Sequence, residues 1–497
     1  MRKKKLLMNT VSAIINQSTT LVCGLILPRL IISHYGSETN GLLSSITQFL
    51  AFFSMMEMGV GAVVRASLYQ PLAKQDSESI SRVLISSKRF FSKIGIMMSA
   101  YAIVLMFFFP ISVDNKLGYI STALLVGSVA FNSISTYLFG IVYTQLLNAD
   151  QKSYIQLTIA AFTTILNTAI SVMLIQMNMT IVTVKIVTAF TMLLKPLMLK
   201  VYVCKNYKLN LKLSLTEEPL KQKWNGLAQH IATYVLKHAD TIILTFFSTL
   251  ENVSIYYVYH LVTNGLQQLV EILTTGVQAL FGNMYAQREY AKLQNVFSSF
   301  EWIMHTFVTL IYSIAGVMII PFVRVYTKGI NDANYVVPVF AFLIVLANGS
   351  FCIRMPYNIM IHAAGHFKQT QASAILEALL NVIISMILVH NYGLVGVAIG
   401  TFIAMSYRTI FFAFYLRKNI LNRSLLIFIK HVLVDILIVG MILLATKEIE
   451  MGSINWFAWI IMGIKVSTVS IIVVIIVNFV FYRETIRNSI QLFWRKY

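Results

Sequence analysis

Apolar runs of about 20 to 25 residues fill this chain almost from end to end, each long enough to cross a bilayer. In hydrocarbon every backbone N–H and C=O must be satisfied within its own segment, which selects helices or closed barrels. Continuous runs such as Ile460 to Tyr482 lack the period-2 alternation of a membrane barrel. The chain therefore reads as an all-α membrane protein with about 14 transmembrane helices. Only 12% of its 497 residues are charged, about half the share found in soluble domains. No soluble catalytic domain fits between the spans.

The formal net charge is +20. In a soluble protein that would suggest nucleic acid. Here, with the N-terminus taken as cytoplasmic, alternate loops hold about 27 of the 39 Lys and Arg and the opposite loops about four. The basic clusters are Arg2 to Lys5, Lys74 to Lys93, Lys200 to Lys223, Arg417 to Lys430 and Arg483 to Lys496. The opposite loops, such as "HYGSETNG" from His34 and "NMT" from Asn178, are short and nearly uncharged. An even number of spans places both termini in the cytoplasm. The surplus is a topology signal, with attraction to anionic membrane lipid secondary, and no nucleic-acid partner is expected. Cys23, Cys204 and Cys352 have no metal-ligand spacing, and neither a metal nor another cofactor is expected.

Spans begin near Thr10, Leu42, Phe90, Tyr119, Ile155 and Ile181, and again near Gly226, Ile255, Trp302, Val337, Ala372 and Leu394. Two more begin near His431 and Trp456. This divides the chain into an N-terminal six-helix bundle (1–203), a cytoplasmic linker (204–225), a C-terminal six-helix bundle (226–416) and two further helices with a cytoplasmic tail (417–497). A weak internal repeat supports the division. After the second span comes "LYQPLAKQDSESISRVLISSKRF" and after the eighth "MYAQREYAKLQNVFSSF", each with Tyr, then Ala-Lys, then Val before Ser-Ser. Six plus six spans in parallel repeat is a common transporter plan.

Ionisable residues within spans are expensive, so each is a functional candidate. Lys195, Arg65, Glu377 and Asp435 are placed near cytoplasmic helix ends, where long side chains reach water. The deep set is Glu57, Lys237, Asp240, Glu271, Arg354 and Arg408. Lys237 and Asp240 are three apart and share a helix face, either as a self-neutralised pair or as two cavity residues. Glu57 and Glu271 fall at matching places in the two halves and precede small residues that permit close packing or bending. Arg29, Arg354 and Arg408 present planar donor forks that match phosphate oxygens. Polar companions such as Gln145, Asn348 and Asn381 serve either as sugar contacts or as interhelical hydrogen bonds. There is no phosphate-cradling glycine loop, ATP motif or nucleophile elbow. A membrane enzyme would need a large outer loop, and the longest, Val325 to Val337, is short. The chain is not expected to be an enzyme.

The stretch from Leu27 to Tyr69, through Pro28-Arg29, Tyr35-Gly36, Gly41, Glu57, Gly59 and Gly61, resembles the opening of the Wzx-type O-antigen and polysaccharide flippases. These belong to the polysaccharide transporter family of the MOP exporter superfamily, with a MATE-like fold. Asp240 and Tyr256 extend the resemblance to the seventh span. It implies two six-helix bundles facing a central cavity. It implies alternating-access transfer of an undecaprenyl-diphosphate-linked oligosaccharide (O-antigen or capsule repeat unit) to the periplasmic leaflet of a bacterial inner membrane. A polysaccharide polymerase and a chain-length regulator are the candidate partners, and a monomer is expected. Arg29, Lys237, Arg354 and Arg408 would line the cavity and bind substrate. Glu57, Asp240 and Glu271 would couple an ion or pair with those cations. The alternative is a cation-coupled multidrug or metabolite exporter of the same fold, since drug exporters of the superfamily often carry a deep acidic pair.

Overall fold

A computed structural model describes residues 2–210, 227–274 and 276–487. Among these residues all regular structure is helical, and ten helices are long and apolar enough to cross a membrane. The chain is a multi-pass membrane protein. Most of the expected linker lies outside the described residues. Two compact units form, Met1–Tyr234 with Thr249–Ser254, and Val235–Ser248 with Ile255–Tyr497.

The first unit contains α1 (Arg2–Leu50), α2 (Ser54–Lys74), α3 (Ser77–Ser112), α4 (Tyr119–Ser135), α5 (Ile141–Ala149), α6 (Ser153–Gln176), α7 (Ile181–Met192) and α8 (Leu194–Asn206). Drawn straight, α1 would reach about 70 Å, over twice the hydrocarbon thickness. It reverses instead at Gly36, where φ is 88° and ψ 165°, a conformation essentially confined to glycine. Lys5 Nζ donates to the Asp150 carbonyl at 3.1 Å and the Tyr35 hydroxyl to the Met179 carbonyl at 2.5 Å. The first arm of α1 therefore runs beside α6 in the same direction. Lys116 N donates to Glu38 Oε1 at 2.6 Å, and the Phe49 and Phe109 rings meet edge-on at 5.5 Å. The second arm thus runs antiparallel to α3.

This corrects the expected loop from His34 to Gly41. Only Gly36 leaves the helix, while Ser37, Thr39 and Asn40 are buried. Their short polar groups are satisfied locally: Thr39 Oγ1 donates to the Tyr35 carbonyl at 2.8 Å, and Asn40 Nδ2 to Ser254 Oγ at 2.8 Å. Gly41 lets the Leu250 backbone come close, since a Cβ there would stand 1.8 Å from the Leu250 carbonyl oxygen. Gly41→Val should destabilise the protein by at least about 1–3 kcal/mol through overpacking. Gly24→Val, in open space, should leave the thermal midpoint of the detergent-solubilised protein nearly unchanged. Equal midpoints for the two variants would contradict this contact.

At the other end of this unit, Gln75 adopts φ 55° to close α2, and the Asp76 carboxylate caps α3 by accepting from Glu78 N at 3.1 Å and Ser79 N at 3.0 Å. The same end carries a clasp on Asp150, built by Lys152 at 2.6 Å, Lys5 at 3.5 Å and the Tyr207 hydroxyl at 2.5 Å. Burial alone would raise the Asp150 pKa. The hydrogen bonds from Lys152 and Tyr207 and the charges of Lys152 and Lys5 outweigh it and hold the group below 3.8. A lowered folded pKa contributes stability that is complete above the unfolded value and is lost as pH falls through the folded one. A spin label at the exposed Leu7 should therefore become more mobile as pH drops below about 3.8. In Asp150→Asn it should be mobile at every pH.

The second unit takes α9 (Leu227–Phe247) and α10 (Leu250–Thr274) from Val235 and Ile255 onward. It adds α11 (Val277–Ala286), α12 (Tyr290–Tyr326), α13 (Pro338–Ile353), α14 (Met355–Ala363), α15 (Phe367–Leu416), α16 (Leu426–Ala445) and α17 (Trp456–Phe481). Helix α15 reverses at Gly393, with φ 52° and ψ −126°. Its arms then pack at backbone distance. A Cβ on Gly396 would meet the Leu388 carbonyl oxygen at 2.4 Å, and one on Gly400 would meet Ser385 Oγ at 2.2 Å. Small residues four apart permit such approach, and lipid-embedded helices use it in place of hydrophobic drive. The consequence is local and chemical: Asn381 Nδ2 of one arm donates to Thr401 Oγ1 of the other at 3.0 Å, and Ser385 Oγ to the Val397 carbonyl at 3.3 Å. The break between α13 and α14 falls at Arg354, two residues before Pro356, whose missing N–H interrupts the helical ladder.

Candidate functional site

Two polar levels lie one helical turn apart on α15, because Glu377 and Asn381 are four residues apart. At the first level Asp240, on α9, is 2% exposed. Its Oδ2 accepts from Thr401 Oγ1 at 2.7 Å and from the Tyr256 hydroxyl at 3.0 Å. Its Oδ1 accepts from Asn381 Nδ2 at 3.0 Å. All three donors are neutral. Asn381 Oδ1 is buried beside them with no hydrogen-bond partner. The site is thus a buried carboxylate plus one unused acceptor, a donor set suited to a proton or a hard cation.

At the second level Glu377 is 1% exposed and accepts from two arginines. Arg354 Nη1 donates to Oε1, and Arg408 Nη1 donates to Oε2 at 2.6 Å. Both guanidiniums lie over the Phe412 ring, at 5.9 and 4.9 Å, and Arg354 also over Phe351 at 4.6 Å. Thr409 Oγ1 shares its one proton between the Met405 carbonyl of its own helix at 2.8 Å and the Ser350 carbonyl of α13 at 2.9 Å. Two cations share one anion, so the triad is formally +1 in a buried place. Arg408 Nε is buried without a hydrogen-bond partner.

A second buried network joins α12 to the last two helices. Arg423 grips both oxygens of Glu301, and the Tyr357 hydroxyl donates to Glu301 Oε1 at 2.6 Å. His305 reaches Tyr357 through Nε2 at 3.1 Å and Asp435 through Nδ1 at 2.6 Å, and Thr309 Oγ1 donates to Asp435 Oδ1 at 2.7 Å. Tyr357 spends its proton on Glu301, so its oxygen accepts from His305 Nε2–H. Trp302 Nε1 and Thr306 Oγ1 both donate to Asn478 Oδ1, at 2.7 and 3.1 Å, so α17 is tied to α12 as well.

The expected site residues fall into distinct groups. Arg354 and Arg408 come together around Glu377. Asp240 lies in the adjoining cluster, and Lys237 is exposed and makes no ion pair with it. Of the two readings of that helix face, self-neutralisation is the one that fails. Glu271 is exposed and accepts from Gln267 Nε2 at 2.8 Å. Arg29 is half-buried in the first arm of α1. Glu57 is in α2, with its side chain outside the described residues. Glu377 and Asp435 are corrected: neither reaches toward water, because Glu377 is buried by Arg354 and by Arg408 of the other arm of α15, and Asp435 by His305 and Thr309 of α12. Glu301 and His305 are not among the expected residues, and Arg423, expected in the basic connection from Arg417 to Lys430, is instead buried on Glu301. A signal was present in the spacing of Glu301, His305 and Thr309, and of Glu377, Asn381 and Ser385, which mark polar stripes at i, i+4 and i+8 in otherwise apolar helices. Among the described residues, no three His, Cys, Asp or Glu side chains converge as a metal site.

No protein-family model matches the sequence, and no curated protein does. Solved structures do match. The chain is similar to the lipid II flippase MurJ in its inward closed conformation, with a TM-score of 0.72 at 15% identity over 97% of this chain and 100% of that one. It is similar to an inward-facing multidrug resistance MATE family transporter of the MOP superfamily, with a TM-score of 0.57 at 15% identity over 81% and 98% of the two chains. A MOP superfamily transporter from Pyrococcus furiosus, described by the reverse polarity of its binding pocket, gives 0.57 at 14% identity over 85% and 97%. The chain has the fold shared by these flippases and transporters.

Proposed function

We propose that this protein translocates an undecaprenyl-diphosphate-linked oligosaccharide, an O-antigen or capsule repeat unit, across a bacterial inner membrane by alternating access. In this proposal the chain crosses the bilayer fourteen times with both termini in the cytoplasm. The observation that carries it is the surplus positive charge buried at Arg354, Glu377 and Arg408, in a fold matched end to end by a lipid II flippase. A buried unbalanced cation is expensive, and a diphosphate headgroup would offset it. Arginine fits the role because its fork takes two phosphate oxygens at once. Arg29 and Lys237 are assigned as further cations for the substrate, and Glu57 and Glu271 as charge partners. Asp240, held only by neutral donors, is assigned as the ion-coupling acid.

The alternative, a cation-coupled multidrug or metabolite exporter of the same fold, is favoured by Asp240, while the positive sign of the triad disfavours cationic cargo. Reconstituted protein carrying Arg354→Met or Arg408→Met should lose flipping of a fluorescent lipid-linked oligosaccharide by about tenfold or more, the loss expected on removing one charge-assisted contact to the phosphate. Arg→Lys should restore it only in part. Asp240→Asn should bind substrate but lose its dependence on an imposed ion gradient. Wild-type flipping rates in both methionine variants would remove the triad from the site.

A further inference from the structure

We propose that Glu377 is an internal counter-anion that occupies the phosphate position between Arg354 and Arg408 while the carrier is empty, and that a phosphate or diphosphate group displaces it. The proposal deepens the assignment of those two arginines as the substrate's anion site and rests on it. Three features of the triad carry it. First, its charge does not balance. The Glu301–Arg423 pair, one carboxylate gripped by one guanidinium, shows that this chain neutralises buried charge where it fastens helices together. At Glu377 one carboxylate serves two guanidiniums, and among the described residues no second carboxylate reaches either arginine. Second, donors are left over. Arg408 Nε–H has no partner although the side chain is 91% buried, and a buried donor without an acceptor is rare and costly. A phosphate offers the two oxygens that Glu377 offers, plus further acceptors for such a donor. Third, the arginines are held in place from behind. Both lie on the Phe412 ring, Arg354 also lies on Phe351, and the Thr409 hydroxyl, one residue from Arg408, is in reach of the Ser350 carbonyl. Their geometry is set without the ligand, so exchange needs only the carboxylate to move.

The device has a purpose in a carrier that must return empty. Two facing guanidiniums without an anion would carry +2 through a poorly solvated state, and Glu377 reduces that to +1. Substrate and Glu377 then compete for one place.

The test uses the purified full chain in detergent and inorganic pyrophosphate as the probe, read by thermal stabilisation. Glu377→Gln should reach half-maximal stabilisation at about one-tenth of the wild-type pyrophosphate concentration, as expected if the competent arrangement is populated about a tenth of the time in the wild type. Adding Arg408→Met to Glu377→Gln should abolish the gain. Should Glu377→Gln not accumulate, Glu377→Asp, one methylene too short to hold both arginines, should show the same shift in smaller measure. Equal pyrophosphate response in wild type and both Glu377 variants overturns the proposal, as does a gain that survives Arg408→Met. Undecaprenyl diphosphate binding Glu377→Gln more tightly than pyrophosphate identifies a lipid-borne phosphate. Equal binding identifies a free one. Either supports the exchange. A protein that shows the exchange but flips no lipid-linked sugar would sink the function proposed above while leaving the anion site in place.

Discussion

Glu377→Ala should destabilise the protein by about 3–5 kcal/mol, because it strands two buried guanidiniums without an anion. Arg354→Met should cost less, since it leaves Arg408 and Glu377 as a balanced pair with the hydrogen bond of 2.6 Å intact. Arg408→Met should behave like Arg354→Met for the same reason. The order of the three, measured by unfolding of the detergent-solubilised variants, reports the sign of the local charge imbalance. If either arginine variant were less stable than Glu377→Ala, the triad would hold surplus negative charge, and the case for an anionic substrate would fall. Methionine at both arginine positions together with Glu377→Gln should recover much of the lost stability, because replacing an entire buried ionic group by well-packed apolar side chains is often neutral.

The second large effect is expected at Arg423. Glu301 is fully buried, and its carboxylate is held by Arg423 through both oxygens and by Tyr357 through one. Arg423→Ala removes the cation and leaves the anion, at a cost of about 3–5 kcal/mol. The damage should be localised. Asp435 and Asn478, on the last two helices, are reached from His305, Trp302 and Thr306 of α12, and Glu301 is on the same face one turn away. Loss of Arg423 should therefore loosen the α16 and α17 pair first. Hydrogen exchange should rise in residues 426–481 before it rises in α13 or α15. The double variant Arg423→Met with Glu301→Gln should be closer to wild type than Arg423→Ala alone. Uniform loss of protection across the second unit would show that the network supports the whole unit and not this hairpin.

Much of the architecture was legible in the sequence because the bilayer imposes so coarse a rule. Twenty apolar residues in a row need no partner to be recognised as a span. The turns were less legible. A chain that reverses on one glycine leaves no polar loop to mark the place, so the residues after Gly36 read as a connection although they are helical and buried. The candidate site was half legible. Arg354, Arg408 and Asp240 stood out as charges too deep to reach water. Glu377 did not, because it is only ten residues into its own helix. Its partners come from 23 and 31 residues away in sequence, and only the Gly393 reversal and the close packing at Gly396 and Gly400 bring the two arms of α15 together. The same applies to Arg423 and Glu301, which are 122 residues apart. Pairing over such distances is decided by helix packing, and a single sequence does not display packing.

The central claim is that the chain moves a lipid carrying a diphosphate-linked sugar. The most direct measurement reconstitutes the wild-type protein in proteoliposomes with a fluorescent undecaprenyl-diphosphate-linked oligosaccharide in one leaflet. The appearance of the sugar in the other leaflet is then followed with an impermeant quencher. Transfer faster than in protein-free vesicles is expected, with loss in Arg354→Met and competition by unlabelled undecaprenyl diphosphate. Transfer no faster than in empty vesicles, alongside gradient-driven export of a cationic dye by the same preparation, would contradict the claim and favour the drug exporter.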